Sequence, residues 1–251
     1  VHPYLHTTFY RLLHAYMEAG FNMSSIPNQC MHMRMFLVLM SYIFPMEAMH
    51  VKKSRVYLLP VIHGLAGEEK KVEEAFKKIN PDCIAIGIAP EDVEMIEKVN
   101  EQEDFELSLQ HQYYLMHLSK YGKVVIPPSD IKMAHKIAKD NNLPLCPIDI
   151  DDNEYAELLT QNVSIFALIR HSRKIKRLAK KDFKAKNAEE FVFEWDKEIN
   201  SIKSFRKIED IRERRMAENL AKLCKSYKKI LAIIPLEKLN GIKNELERYK
   251  K

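Results

Sequence analysis

A chain of 251 residues, 46% hydrophobic and 30% charged, has enough apolar side chain for one sizeable core and too much for a disordered polymer. Its net charge of +5, from 40 basic and 35 acidic residues, is a mild excess that does not by itself require a nucleic-acid partner. The four cysteines have no CxxC spacing; Cys83 and Cys146 lie in apolar runs and read as buried thiols rather than ligands or disulfides, which fits a reducing, cytoplasmic setting.

Residues 1–49 differ from the rest. They lack lysine, contain only Arg11 and Arg34 as basic residues, and hold eight of the twelve methionines. They read as a separate N-terminal extension. A mis-assigned start, with the initiator at Met46 or Met49, and a short membrane-associating or partner-binding segment are the alternatives. The apolar run from Met35 to Met46 falls short of the roughly 20 residues that cross a bilayer. It also follows no short basic leader, so neither a transmembrane span nor a signal peptide is expected. Residues 50–251 are expected to form one α/β domain.

Within that domain, Val56 to Ile62 is an apolar run ending at His63-Gly64. Glu68 to Lys78 has Val72, Ala75, Phe76 and Ile79 at helical spacing. After the turn Asn80-Pro81-Asp82, a second apolar run, Cys83 to Ile88, leads to Ala89-Pro90-Glu91-Asp92. Two such runs joined by a helix predict a βαβ unit of a buried parallel sheet. His63 and Glu91 then stand at strand exits, where open α/β sheets place their sites.

Helices are predicted over 90–102, with Val93, Ile96 and Val99 inward, and over 105–121, stopping at Gly122. His111 and His117, six apart, do not share a face and read as surface or partly buried histidines. Lys123 to Ile126 is predicted as a short buried strand, and Ser129 or Asp130 as the cap of a helix over 131–140. An apolar run to Ile148 delivers Asp149, Asp151 and Asp152, which would suit either a divalent cation or a solvated turn capping a helix over 153–159.

Arg170 to Lys186 is densely basic, with Ile169, Ile175, Leu178 and Phe183 as the apolar face of an amphipathic helix. A solvated face is the commoner explanation; an anionic substrate, a membrane surface or nucleic acid are the others. Trp195 reads as a core anchor. A long helix over 206–225 turns Met216, Leu220 and Leu223 inward. Arg212 falls near that buried side and needs a carboxylate partner or an anionic ligand. Lys229 to Ile234 is a last buried strand, followed by Pro235-Leu236-Glu237-Lys238 and a C-terminal helix over 239–248. Strands therefore recur near 56, 83, 123, 145 and 230. GxGxxG, GxxxxGK[ST], GxSxG and HExxH are all absent.

Three stretches together resemble a known family. Pro60-Val61-Ile62-His63, with Pro81-Asp82 and Ile84 to Ile88 behind it, is similar to the opening of the TraB/PrgY pheromone-shutdown family, in which GxxH precedes a helix, Pro-Asp and a strand ending in glutamate. Arg212-Glu213-Arg214-Arg215-Met216-Ala217 resembles that family's R-[DN]-x-x-M-A helix. Ile230 to Ile242 resembles its final strand, second GxxH and Gly-Ile helix. The family is related to the TIKI metalloproteases and, more distantly, to the erythromycin-esterase and ChaN-like proteins. The likeness spans about residues 56–246. Pro60 replaces the first glycine, Lys238 replaces the second histidine, and Gly87 aligns with the strand-end glutamate, with Glu91 one turn further on.

The resemblance implies an α/β fold of TraB/EreA/ChaN type, a central, largely parallel β-sheet with helices on both faces. It implies His63, Glu91, Arg212 and Glu213 as catalytic groups, and Lys238, Asp130, Asp149 and Asp151 as ligand-binding ones. His63 would be the metal ligand if a divalent metal were held, but an ammonium at Lys238 is no ligand and would repel a dication. The expected function is therefore a degenerate site that binds a small anionic ligand or peptide through Arg212 and Lys238. A metal-dependent hydrolase of TIKI type, with His63 as ligand or general base, is the alternative. No nucleic-acid partner is expected, and a homo-oligomer stays open. The Lys/Ile/Glu-rich style of residues 50–251 is that of thermophilic or AT-rich microbes, archaea among them.

Overall fold

Alternate residues of the central strands feed two separate cores. On β2 (Ser54–Val61), Val56 and Leu58 face one way and Leu59 and Val61 the other; Ile230, Ala232 and Ile234 of β5 (Lys229–Pro235) alternate with Leu231 and Ile233 in the same manner. The computed structural model, which describes residues 46–98 and 107–250, is an α/β fold around one five-stranded mixed sheet of order β1-β2-β5-β3-β4. The remaining strands are β1 (Glu47–Val51), β3 (Cys83–Ile86) and β4 (Leu145–Pro147). β2, β5, β3 and β4 are parallel, whereas β1 pairs antiparallel with β2 at the edge.

Helices cover both faces. α1 (Glu68–Ile79) and α4 (Ser129–Asp140) place Val72, Ala75, Ile131, Ala134 and Ile137 on one. On the other lie Met216, Ala217 and Leu220 of α8 (Lys203–Leu223) and Ile242 and Leu246 of α9 (Leu239–Leu246). A third core lies beyond the end of β2, where Ile62 meets α3 (Leu109–Leu118), α6 (Ile165–Leu178) and α7 (Ala188–Ile199) around Phe191 and Trp195. α2 (Pro90–Lys98) follows β3. α5 (Asp152–Asn162) packs near α8 through Tyr155 and Leu158, beside Ile208. No helix of the described residues is long and apolar enough to cross a membrane.

Four readings need correction. Lys123 to Ile126 is no sheet strand: Val124 makes a single antiparallel bridge to Leu65, Ile126 is exposed, and the prolines that follow have no N–H to extend a ladder. β1 crosses the compositional break at residue 49, with Met49 and Val51 buried and Ala48 and His50 exposed on the other face; the shift in residue style therefore does not mark the edge of the sheet. The strands of the predicted βαβ unit, β2 and β3, are not neighbours, because β5 lies between them. Ile169 is exposed rather than packed, along with Ile165 and Phe166.

His117 is buried and donates through Nε2 to the Leu178 carbonyl oxygen at 2.8 Å, so it serves the third core. Trp195 is buried there as expected. Cys83 is a buried free thiol 3.8 Å from the free thiol of Cys146. Cys30, the run from Met35, and the inward positions at Ile96 and Val99 of the predicted helix over 90–102 lie outside the residues and side chains described.

Candidate functional site

The parallel strands deliver polar residues to one edge of the sheet, the edge at their C-terminal ends. His63 follows β2 and is turned by Gly64, whose φ of +88° suits glycine; a Cβ there would lie 2.9 Å from Leu115 Cδ2. The His63 imidazole donates through Nδ1 to Asp130 Oδ2 at 2.6 Å. Asp130 is fully buried in the first turn of α4. It does not cap that helix, and neither does Ser129: the cap position is Pro128, and Ser129 donates its hydroxyl to Glu69 at 2.6 Å. The carboxylate predicted as a cap is directed at the histidine instead.

Two polar atoms of this pair, His63 Nε2 and Asp130 Oδ1, are buried and have no hydrogen-bond partner among the described residues. Buried polar atoms are rarely left so, and each such atom calls for an explanation. Glu68, at the start of α1, is buried, accepts from the Ile62 N–H at 3.2 Å and pairs with Lys71 at 2.7 Å. Burial pushes its pKa up. Burial also raises the pKa of Glu237, in the turn after β5, against the pull of Lys238 and His63. Burial by itself would lower the His63 pKa; Asp130, Glu237 and Glu68 outweigh it and hold the imidazole above its ordinary value. Tyr114 on α3 shares these surroundings, its pKa raised by burial first and then by Glu237, Asp130 and Glu68.

A second group lies on the same edge. Arg212, on α8, donates to Asp149 Oδ2 at 2.5 Å and to Glu209 Oε1 at 2.8 Å, and Lys238 is ion-paired with Glu209. Asp149 and Lys238 are buried. The carboxylate partner that the position of Arg212 demanded is thus present twice. Glu213 accepts from Arg206 at 2.6 Å, and Arg206 also pairs with Asp196 and Asp210. The Glu213 carboxylate lies over Gly241, where any Cβ would overlap it.

The expected single pocket is therefore two linked groups. His63 and Asp130 form one; Arg212, Asp149 and Lys238 form the other, with Glu213 beside it; Glu237 and Lys238, adjacent in the chain, connect them. Two predicted members stand apart. Asp151 caps α5, accepting from the Glu154 N–H at 2.8 Å, as the solvated-turn reading holds. Glu91, on α2, accepts from the Asp152 N–H at 3.4 Å, and its other oxygen is buried without a partner among the described residues. A cleft of about 450 Å³ runs past Pro90, Asp149, Asp151 and Arg215, not past His63.

Glu209, Glu68, Glu237, Tyr114 and Arg206 were not singled out from the sequence. Glu209 alone carried a signal, lying one turn before Arg212 on the same helix face.

The donor set does not fit a metal. Among the described residues no three His, Cys, Asp or Glu side chains are grouped to hold an ion. The position of the second histidine is an ammonium closed on Glu209. Nor would a glutamate fit at Gly87, where a Cβ would lie 2.8 Å from Pro235 Cδ. No family model matches the chain, and no curated protein matches it.

Proposed function

We propose that this chain is a relative of TraB-type α/β proteins in which the site works by metal-free proton transfer, with His63 as general base of a hydrolytic reaction. The observation that carries the reading is the half-buried His63 imidazole held at 2.6 Å by the fully buried Asp130, with its buried Nε2 left unpartnered among the described residues. Asp130 holds the proton on Nδ1, which presents the Nε2 lone pair to a water or substrate hydroxyl and stabilises the imidazolium once it takes that proton. Tyr114, kept protonated by its raised pKa, is available to donate toward developing negative charge. The family resemblance is supported by where its motifs fall: His63 at the end of β2, Met216 and Ala217 buried on α8, and Glu237-Lys238 after β5, with Glu237 acting on His63.

The other reading, a non-catalytic binder of a small anionic ligand or peptide, requires Arg212 and Lys238 to face a ligand. Both are occupied by Asp149 and Glu209, and the carboxylates around His63 disfavour an anion, so the substrate class is neutral or cationic esters and amides.

The test is hydrolysis of a panel of such substrates by the full chain, with His63→Gln and Asp130→Asn beside it. Loss of His63 should lower kcat about 10²–10⁴-fold. The rate should fall as pH drops through a single pKa above the ordinary 6.5. In Asp130→Asn that limb should move to lower pH, because burial of His63 is then opposed less. Turnover unchanged in His63→Gln would sink the assignment, and no turnover across the panel would favour the binder.

A further inference from the structure

Four cations along α6 and just past its end line a cavity that is independent of the His63 site. Arg170, Lys174, Arg177 and Lys181, spaced 4, 3 and 4 apart, fall on one stripe of the helix. They border a cavity of about 370 Å³ with Leu178, Glu198 and Ser201. Glu198 is the single acidic group there, and both its oxygens are taken: Lys174 at 2.8 Å and Lys181 at 2.7 Å. Lys174 also donates to Ser201 Oγ at 2.6 Å. These two lysines hold the Glu198 pKa down to about 2, so its charge persists throughout the working range.

Arg170 and Arg177 have no ion-pair partner among the described residues. Four cations therefore line a concavity whose one carboxylate is already saturated by two of them, with buried Leu178 also lining it. Arg173, Lys176 and Lys180 on the same stretch lie outside the cavity, whereas these four cations share one concavity, whose walls concentrate their field. A guanidinium presents a planar fork of donors that matches phosphate oxygens two at a time. Two such forks seven residues apart on a helix are separated by about 10 Å along its axis. One phosphate engages one fork; occupying both requires a chain of phosphates.

We propose that this cavity binds a small molecule carrying two or more linked phosphates, with Arg170 and Arg177 as its principal contacts and Lys174 as a third.

The experiment is titration calorimetry of the full chain with inorganic triphosphate and with orthophosphate at low ionic strength. Expected are one triphosphate per chain, binding at least tenfold tighter than orthophosphate. Arg170→Ala/Arg177→Ala should weaken triphosphate roughly tenfold or more. Arg173→Ala/Lys176→Ala, which removes the same charge from residues that do not line the cavity, should change it less than threefold. Glu198→Gln, which frees both lysines, should tighten it. Circular dichroism confirms that each variant is folded. The proposal fails if triphosphate does not bind, if the two double variants weaken it equally, or if only RNA or phosphatidylserine vesicles are bound.

Discussion

Glu209 serves two cations at once, and its replacement is the most damaging change expected at any single site residue. Burial would raise its pKa, but Lys238 and Arg212 overcome that and hold it near 2. A carboxylate whose folded pKa lies below its unfolded value stabilises the fold fully above that unfolded value, near 4.3, and loses the contribution as pH falls toward 2. Glu209→Gln leaves Lys238 buried and unneutralised and should cost roughly 3–5 kcal/mol in urea unfolding at neutral pH. Between about pH 4.5 and 2 the parent should lose that advantage over the variant. A difference under about 1 kcal/mol at neutral pH would mean that other carboxylates, Glu213 first, take over the lysine.

At the scale of elements, α8 is placed by close approach as much as by its apolar stripe. Met216, Ala217 and Leu220 seat it on the sheet, while Glu213 on the same helix reaches α9 at the one position lacking a side chain. Gly241→Ala should therefore push α9 off α8 or eject the Glu213 carboxylate from Arg206. The expected loss is about 1–3 kcal/mol, read as a fall in Tm. On helical propensity alone the same substitution would stabilise by about 1 kcal/mol, so the sign of the change decides between the two effects. Gly241 was legible as part of a Gly-Ile helix motif. The reason for the glycine was not, because Glu213 is 28 residues away in sequence and adjacent only in space.

For the whole molecule, the sheet order puts β5 between β2 and β3, so the last strand in the chain is the most central. Leu231, fully buried between β2 and β3, should cost about 2–5 kcal/mol when replaced by alanine. Phe166, 81% exposed on α6, should cost under about 0.5 kcal/mol in the same replacement, as measured by denaturant unfolding. Comparable losses at the two sites would mean that Phe166 is covered in solution.

The sequence by itself determined the α/β class, four of the five strands, the inward faces of the helices around Val72, Ala75, Ile79, Leu118, Met216 and Leu220, and the demand of Arg212 for a carboxylate. Each of these rests on local periodicity or on the cost of burying a lone charge. β1 escaped because five residues of alternation are a weak signal beside a strong change in composition, and Lys123 to Ile126 misled because three apolar residues cannot show whether a partner strand exists. Only the tertiary structure decided that Asp130 faces His63 rather than its own helix end, and that Glu209 and Asp149 neutralise the cations expected to hold an anion. It also decided that Asp151 is a cap. The pairs His63–Asp130, Arg212–Asp149 and Lys238–Glu209, 67, 63 and 29 residues apart, are set by which elements lie side by side, and that order depends on all the elements packing at once.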